Sequence, residues 1–211
     1  PAKWMYYHLL DADWASNALS WQWIAGTNSN KKYFANQDNI NKYCHTKQSN
    51  TFLDITYNDF ETLQIPKELL ETDSFILKTP LPAKTPIKID NKKPTYIYNF
   101  YNLDPLWGKE ISANRILLLE PSHFKQYPIS INSIDFMLGF SKNNIDNIQV
   151  YIGEFNDFIL DHAPKEVNYK EHPLNSHYTG IKVPRDFIFD VKGYYPSFFS
   201  FWKKCKKELI Y

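Results

Sequence analysis

The distribution of apolar and polar positions divides the chain into three segments of different character. Residues 1–65 open with aromatic and aliphatic stretches that have the spacing of helices. Residues 66–94 contain five prolines, a density that disfavours both regular helix and central strand and is typical of an extended linker. Residues 95–211 contain short apolar runs bounded by turn-forming residues, which is the pattern of buried strands.

Two helices are predicted in the first segment. The unbroken run Trp4–Leu10 predicts a helix packed on most of its sides. A second helix is predicted to reach about Ala25, because Asp11 or Asp13 can cap its start and the turn-forming run Gly26–Asn30 stops it.

The third segment predicts a strand–helix–strand unit. Arg115–Glu120 and Ile148–Ile152 have the composition of strands, and Ser130 can cap a helix whose apolar positions recur through Phe140. Lys165–Tyr169 is a candidate third strand. Two strands joined through a helix over this distance form a βαβ unit with parallel strands.

The amino-acid composition limits the classes of protein to which the chain can belong. Of the 211 residues 43% are hydrophobic and 17% aromatic, which is enough for a packed core and excludes a disordered chain. No run of 18 apolar residues occurs, so no membrane partner is expected. The net charge of +1 means that any nucleic-acid binding must come from a local patch. The two cysteines, Cys44 and Cys205, are too few for a disulfide scaffold or a four-iron cluster and suit a reducing cytoplasm.

Chemistry is concentrated between Asp11 and Trp23. On a helix, the spacing of Asp13, Asn17 and Trp21 places a carboxylate, an amide and an indole on one face, which a polar aromatic heterocycle could use together. Trp23 lies about 200° around the helix axis from Trp21 and addresses another surface. The histidines show no metal-binding spacing, and no metal site is predicted.

This string, Asp-x-Asp-x-x-x-Asn-x-x-x-Trp-Gln-Trp, is followed by a Gly/Thr/Asn turn and the aromatic pair Tyr33-Phe34. It resembles the flavin-binding domain of the DNA photolyase and cryptochrome family. The resemblance covers residues 4–45, and every spacing within the string agrees with the family pattern. In that family the segment lies near the C-terminal end of a helical domain that holds FAD in a U shape.

The resemblance implies a role for each matching residue. Asp11 and Asp13 match the acidic pair beside the flavin, and Asn17 matches the residue that faces flavin N5. Trp21 matches the first electron donor to photoexcited FAD, and Trp23 matches the indole that faces a flipped pyrimidine dimer. We therefore expect Asn17 and Trp21 to be catalytic, Asp11, Asp13 and Asn17 to bind FAD, and Trp23 to contact the lesion in damaged DNA.

The chain departs from the family pattern after Phe34. The family often places a basic residue and a further aromatic residue there for DNA, whereas this chain has Ala35-Asn36-Gln37. Three cations of the same region, Lys31, Lys32 and Lys42, could take over that contact. The weaker basic character favours a photosensory alternative without repair.

The second half contains a further resemblance. The run Ser197–Lys204, Ser-Phe-Phe-Ser-Phe-Trp-Lys-Lys, is similar to the aromatic sequence near the end of the family's α/β antenna domain. The predicted βαβ unit fits such a domain, although in the family the antenna usually precedes the flavin domain. The resemblance implies an antenna-like unit with an unknown chromophore, to which no residues are assigned.

We therefore expect a mixed α+β chain. Residues 1–65 would form the C-terminal part of an all-α FAD-binding domain, residues 66–94 a linker, and residues 95–211 a small α/β domain with a parallel sheet. Because Pro1 stands in place of an initiator Met, we expect a fragment whose flavin-binding domain is completed by other residues. The expected function is light-driven repair of pyrimidine dimers with photoexcited reduced FAD as the electron donor. The alternatives are a cryptochrome-like blue-light receptor with the same flavin site and no repair, and a catalytically inactive binding or scaffold module.

Overall fold

The computed structural model describes residues 2–10, 13–27 and 33–210, which fold into two units. The first unit contains the described residues up to Ala83 together with Glu120–Phe140, and the second contains Lys84–Leu119 and the residues from Ser141 onward. All five strands within the described ranges belong to the second unit.

Helices and strands alternate irregularly along the chain. The α-helices are α1 (Ala2–His8), α2 (Trp14–Ile24), α3 (Gln37–Cys44), α4 (Pro121–Gln126), α5 (Ile131–Asn144), α6 (Phe155–His162) and α7 (Phe198–Cys205). The strands are β1 (Thr95–Tyr98), β2 (Asn114–Leu119), β3 (Ile148–Ile152), β4 (Val167–Lys170) and β5 (Ile181–Val183). Short 3-10 helices are Tyr57–Glu61, Lys67–Leu69, Pro173–Asn175 and Lys206–Glu208. In these described ranges no helix combines the length and the apolar character that crossing a membrane requires.

Hydrogen bonds tie α1 to segments that are distant in sequence within the first unit. The Tyr7 carbonyl accepts from the Ser130 N–H at 2.9 Å, and the Tyr7 hydroxyl donates to the Lys78 carbonyl at 3.0 Å. Beside them the Ile129 N–H donates to Thr79 Oγ1 at 2.8 Å. These bonds pair backbone groups that would otherwise be left unsatisfied where the segments meet.

An aromatic chain joins α1, α2 and the residue that follows α4. Tyr6 is only 1% exposed, and its ring meets the Trp14 ring edge-on with centroids 5.5 Å apart. The Trp14 ring lies 5.9 Å from the Tyr127 ring. Aromatic pairs at these distances stabilise a core beyond the area that they bury.

The second unit is built on a five-stranded sheet with the order β3-β2-β1-β4-β5, in which all neighbouring strands are parallel. Strand β1 is central: β2 and then β3 extend the sheet on one side of it, and β4 and then β5 extend it on the other side. This is a doubly wound order whose switch point lies between β1 and β4.

The predicted βαβ unit and the parallel sheet are confirmed. β2 and β3 are parallel neighbours with Arg115 opposite Ile148, and α5 lies between them in sequence. β3 has the predicted bounds, and the predicted third strand is β4. The predicted helix cap is also present, since Ser130 Oγ accepts from the Ser133 N–H at 3.3 Å at the start of α5.

β1 and β5 are strands that the pattern did not predict. β1 is a four-residue strand, Thr-Tyr-Ile-Tyr, buried at every position, so its sequence shows no apolar–polar alternation. It also follows Pro94 directly, at the end of the proline-rich segment. Because every position of this central strand is buried, the sequence lacked the alternating pattern that would have predicted it.

One face of the sheet packs an apolar core. Ile97 and Ile116 from the strands join Phe155 and Phe158 of α6, all at most 1% exposed. The Phe155 ring stacks on the Tyr178 ring with centroids 4.4 Å apart. Aromatic residues thus supply much of the buried apolar area of this unit.

The connection from β1 to β2, residues 99–113, covers part of the other face without a helix. Its Trp107 ring lies 4.8 Å from the Tyr96 ring and 5.0 Å from the Tyr98 ring. The buried Tyr98 hydroxyl donates to the Trp107 carbonyl at 2.7 Å. Both tyrosines therefore hold this irregular segment against the sheet.

Lys170 at the end of β4 joins two further segments at the carboxyl edge of the sheet. Its ammonium lies 3.2 Å from Asp104, after β1, and 3.0 Å from Asp186, after β5. Burial alone would raise the pKa of Asp104, but hydrogen bonds from the Leu106 N–H and from Lys170 outweigh it, so the pKa is lowered. The charged carboxylate is thus the form that the folded unit stabilises.

The lowered pKa of Asp104 predicts a specific acid sensitivity. Its contribution to stability is complete above the unfolded value of 3.8 and is lost as the pH falls through the lower folded value. We expect Asp104→Asn to lower the free energy of unfolding at neutral pH by about 0.5–1 kcal/mol, and to lose less stability than the parent between about pH 5 and pH 2. Urea unfolding followed by circular dichroism measures both quantities.

The matched control is Asp135→Asn, which removes the charge of an exposed carboxylate in α5. It should follow the parent in its acid dependence. Equal acid dependence of the parent and Asp104→Asn would contradict the role given to Asp104.

Candidate functional site

The helix α2 begins and ends where its sequence predicts. The Asp13 side chain accepts from the Ser16 N–H at 2.7 Å, which caps the helix. At the other end the Ala25 N–H donates to the Trp21 carbonyl at 2.9 Å, and Gly26 adopts the left-handed φ of 69° that glycine allows after a helix.

Asp13 differs from the expected arrangement with Asn17 and Trp21. Its φ and ψ of −99° and 123° are extended, so it precedes the helix and does not share the helical face of the other two residues. One of its carboxylate oxygens is engaged by the Ser16 N–H. Asp11, the other carboxylate expected to bind the cofactor, lies outside the described residues.

Asn17 and Trp21 are four residues apart within α2 and lie on one face of it. Asn17 Oδ1 is closed off from water but accepts no hydrogen bond in the part of the chain that the structure describes. A buried acceptor without a partner costs about 1–3 kcal/mol. The face therefore has an unsatisfied acceptor one turn before an indole.

The rest of α2 is largely uncovered. None of its residues is buried, and Leu19, Trp23 and Ile24 are about half exposed. A helix with apolar side chains exposed on more than one side is typical of a segment that another surface covers.

Trp23 belongs to a group of aromatic residues of which all but the half-buried Phe60 are exposed. Its ring meets the Tyr33 ring edge-on at 6.5 Å. The next residue, Phe34, stacks on Phe60 at 4.9 Å, and Phe60 stacks on Tyr57 at 5.8 Å. Stacked, exposed rings of this kind can hold flat aromatic groups.

A cavity of about 750 Å³ that is lined mostly by polar residue types adjoins Tyr57. Asn36 forms one wall, where its Oδ1 accepts from the Asn39 N–H and its Nδ2 donates to the Ile55 carbonyl, both at 3.0 Å. The charged residues that line the cavity are three carboxylates and one cation: Asp38, Asp54, Asp59 and Lys42. Lys42 is the one of the three predicted DNA-contacting lysines that the structure describes, and it lies 5.5 Å from the Tyr43 ring centroid.

The carboxyl edge of the sheet in the second unit gathers other titratable residues. His172 follows β4, and its ring stacks on Tyr101 at 4.2 Å with an interplanar angle of 8°. His172 Nδ1 accepts from the Leu174 N–H at 3.2 Å. Across residues 2–10, 13–27 and 33–210, no group of three or more His, Cys, Asp and Glu residues is arranged to hold a metal ion.

Comparison of the chain with protein families, with curated proteins and with solved structures found no match. The functional argument therefore depends on the residues and on their geometry.

Sequence reasoning missed the acidic cavity and the Lys170 cluster for different reasons. The cavity had a local signal, because Thr56 and Asp59 have the spacing of a capping box and both line it. Lys170 had none, since its partners Asp104 and Asp186 lie 66 and 16 residues away in sequence.

The capping role of Asp13 can be separated from a role of its charge. Asp13→Ala removes the acceptor of the Ser16 N–H and should destabilise α2 by about 1 kcal/mol, whereas Asp13→Asn keeps a side-chain oxygen and should cost only a few tenths. Hydrogen exchange of the α2 amides measures the difference. If Asp13→Asn costs as much as Asp13→Ala, the negative charge and not the cap stabilises this end of α2.

Proposed function

We propose that α2 and the residues that follow it form part of a flavin site of the photolyase and cryptochrome type. The observation that supports this most is the water-shielded Oδ1 of Asn17, which has no hydrogen-bond partner in the described part of the chain and lies one helical turn before Trp21. A ring N–H of a flavin would satisfy that acceptor, and the amide can rotate to donate when the ring nitrogen carries no proton.

The residues of α2 then have distinct tasks. Asn17 holds or releases a hydrogen bond at the flavin ring, and Trp21 supplies an electron to it. The second carboxylate oxygen of Asp13 has no donor among the described residues and can accept from a ribityl hydroxyl or a ring N–H. Bound reduced FAD would supply the electron that light drives into a pyrimidine dimer, and the dimer would return this electron to the flavin once it has split; this chemistry belongs to the cofactor.

A flavin of this size needs an enclosed pocket. The half-exposed Leu19 and Ile24 on α2 support a covering partner, which we propose is the remainder of the flavin-binding domain. The cysteine content suits a reducing compartment such as the cytoplasm.

The flavin proposal is tested on the intact protein. It should purify with the blue absorption band of a flavin or acquire it on reconstitution with FAD. Trp21→Phe should keep the flavin but lose most of its light-driven reduction, because the indole donor is gone. Trp4→Phe is the control, since this α1 indole packs on His8 at 4.4 Å and lies outside the proposed site. A colourless protein that gains no flavin absorbance contradicts the proposal.

We further propose that the flavin site serves the repair of pyrimidine dimers in DNA. Trp23 is 45% exposed and stands in a group of rings suited to stack on a base that has left the duplex. Trp23→Ala should weaken the binding of dimer-containing oligonucleotides by about 1–3 kcal/mol, or roughly five- to 150-fold. Trp4→Ala should leave it unchanged. Equal affinities of the parent and Trp23→Ala would rule out stacking by this indole.

The acidic cavity favours a second candidate, a blue-light receptor with the same flavin site and no repair. Asp38, Asp54 and Asp59 outnumber Lys42 in its lining and would repel DNA phosphates. Repair assays under blue light separate the two functions. Photoreduction without turnover of dimers supports the receptor, and turnover supports repair.

The parallel sheet of the second unit supports the proposal of an antenna-like α/β unit. In doubly wound sheets a flat ligand binds outside the carboxyl ends of the strands, at the switch point. No residue of this chain is assigned to an antenna chromophore.

A further inference from the structure

Arg115 is one of only two arginines in the chain. Its buried guanidinium is a charged group of the second unit for which the sheet itself gives no evident role. Arg115 is 7% exposed near the start of β2. Its Nη2 donates to the carbonyls of Gly108, Lys109 and Ile111 at 2.7, 3.1 and 2.9 Å. Burying an ion is costly unless a counter-charge accompanies it.

No carboxylate forms an ion pair with Arg115 within the described part of the chain. The three carbonyl dipoles neutralise only part of the charge. Gly108 helps to place them, because its φ of 65° suits glycine and a Cβ there would come within 2.6 Å of the Tyr96 ring. The loop is therefore built around a cation with which none of its carboxylates forms an ion pair.

Arg115 lines a cavity of about 450 Å³ at the amino edge of the sheet. The cavity is lined by Lys93, Lys109–Arg115, Asp146, Asn147 and Gln149. Three cations thus face two carboxylates, Glu110 and Asp146. Lys93 also lies 3.9 Å from Asp90, in an exposed pair that water screens.

Ser112 and Ala113 of the cavity lining also carry peptide N–H groups. The peptide N–H groups of Ser112 and Ala113 donate to no acceptor among the described residues. Successive free N–H groups beside arginine and lysine are typical ligands of oxyanions. The size is within the range of small-molecule sites and leaves room for an organic group beside a phosphate.

We propose that this cavity binds a small molecule bearing a phosphate group, with Arg115 as the buried cation and Lys109, Ser112 and Ala113 as further donors. The bound phosphate supplies the counter-charge that the protein lacks. This site is independent of the proposed flavin site, since all of its residues belong to the second unit and α2 belongs to the first.

The test uses the whole chain with inorganic phosphate as the probe, at constant ionic strength set with chloride. Calorimetry should show saturable binding, and hydrogen exchange of the Ser112 and Ala113 amides should slow in phosphate. Lys109→Gln should weaken the affinity roughly tenfold, because one charged donor is lost. This exposed substitution keeps the Lys109 carbonyl that Arg115 uses.

The matched control is Lys165→Gln, which makes the same charge change at an exposed lysine that does not line the cavity. It should bind phosphate as the parent does. Arg115→Lys, which keeps the charge and loses the planar fork, should bind more weakly than the parent if it folds. Absence of saturable binding, or an equal loss in Lys109→Gln and Lys165→Gln, would overturn the proposal.

Discussion

A polar group that is closed off from water has to be paired, and this constraint decides how α2 can be understood. Asn17 Oδ1 is shielded and has no partner among the described residues, although the rest of the helix is well formed between its Asp13 cap and Gly26. An unpaired buried group of this kind can mark a place that a protein keeps for a ligand, although Asn102 Nδ2 of the second unit also has no partner among the described residues. Asn17 therefore supports the flavin proposal through its own energetics, in addition to the sequence resemblance.

The second unit applies the same constraint to an irregular segment. The segment 99–113 has no helix, and side chains from the sheet bond to several of its backbone carbonyls and to one of its carboxylates. Tyr98 donates to the Trp107 carbonyl, Arg115 donates to three carbonyls, and Lys170 pairs with Asp104. The sheet face is thus rich in polar and aromatic groups, and its buried cation at the amino edge has charge left for a ligand.

Local signals in the sequence predicted much of the fold. Gly26 marks the end of α2, Ser130 caps α5, and the run Ile148–Ile152 is β3, because each depends on a few adjacent residues. β1 was missed since a fully buried strand shows no alternation, and its place at the centre of the sheet depends on pairing with β2 and β4. The strand order is therefore a property of the folded chain that its local pattern does not contain.

The site was predictable to a smaller extent. The spacing of Asn17 and Trp21 places them on one face of α2, and the aspartate signal at Asp13 could mean either a cap or a ligand. Two features of the sites are the unpaired Oδ1 of Asn17 and the excess of positive charge around Arg115. Each depends on which groups of the folded chain come near that side chain and which do not. Neither can be obtained from residue spacing.

The most direct measurement is the free energy of unfolding of Asn17→Leu, with and without FAD. Without flavin, the account predicts a variant at least as stable as the parent, because the substitution removes a buried acceptor that has no partner. With flavin, it predicts that the variant gains less stability than the parent. A flavin-free variant destabilised by about 1–3 kcal/mol would mean that Asn17 is paired within the protein, and would contradict the account.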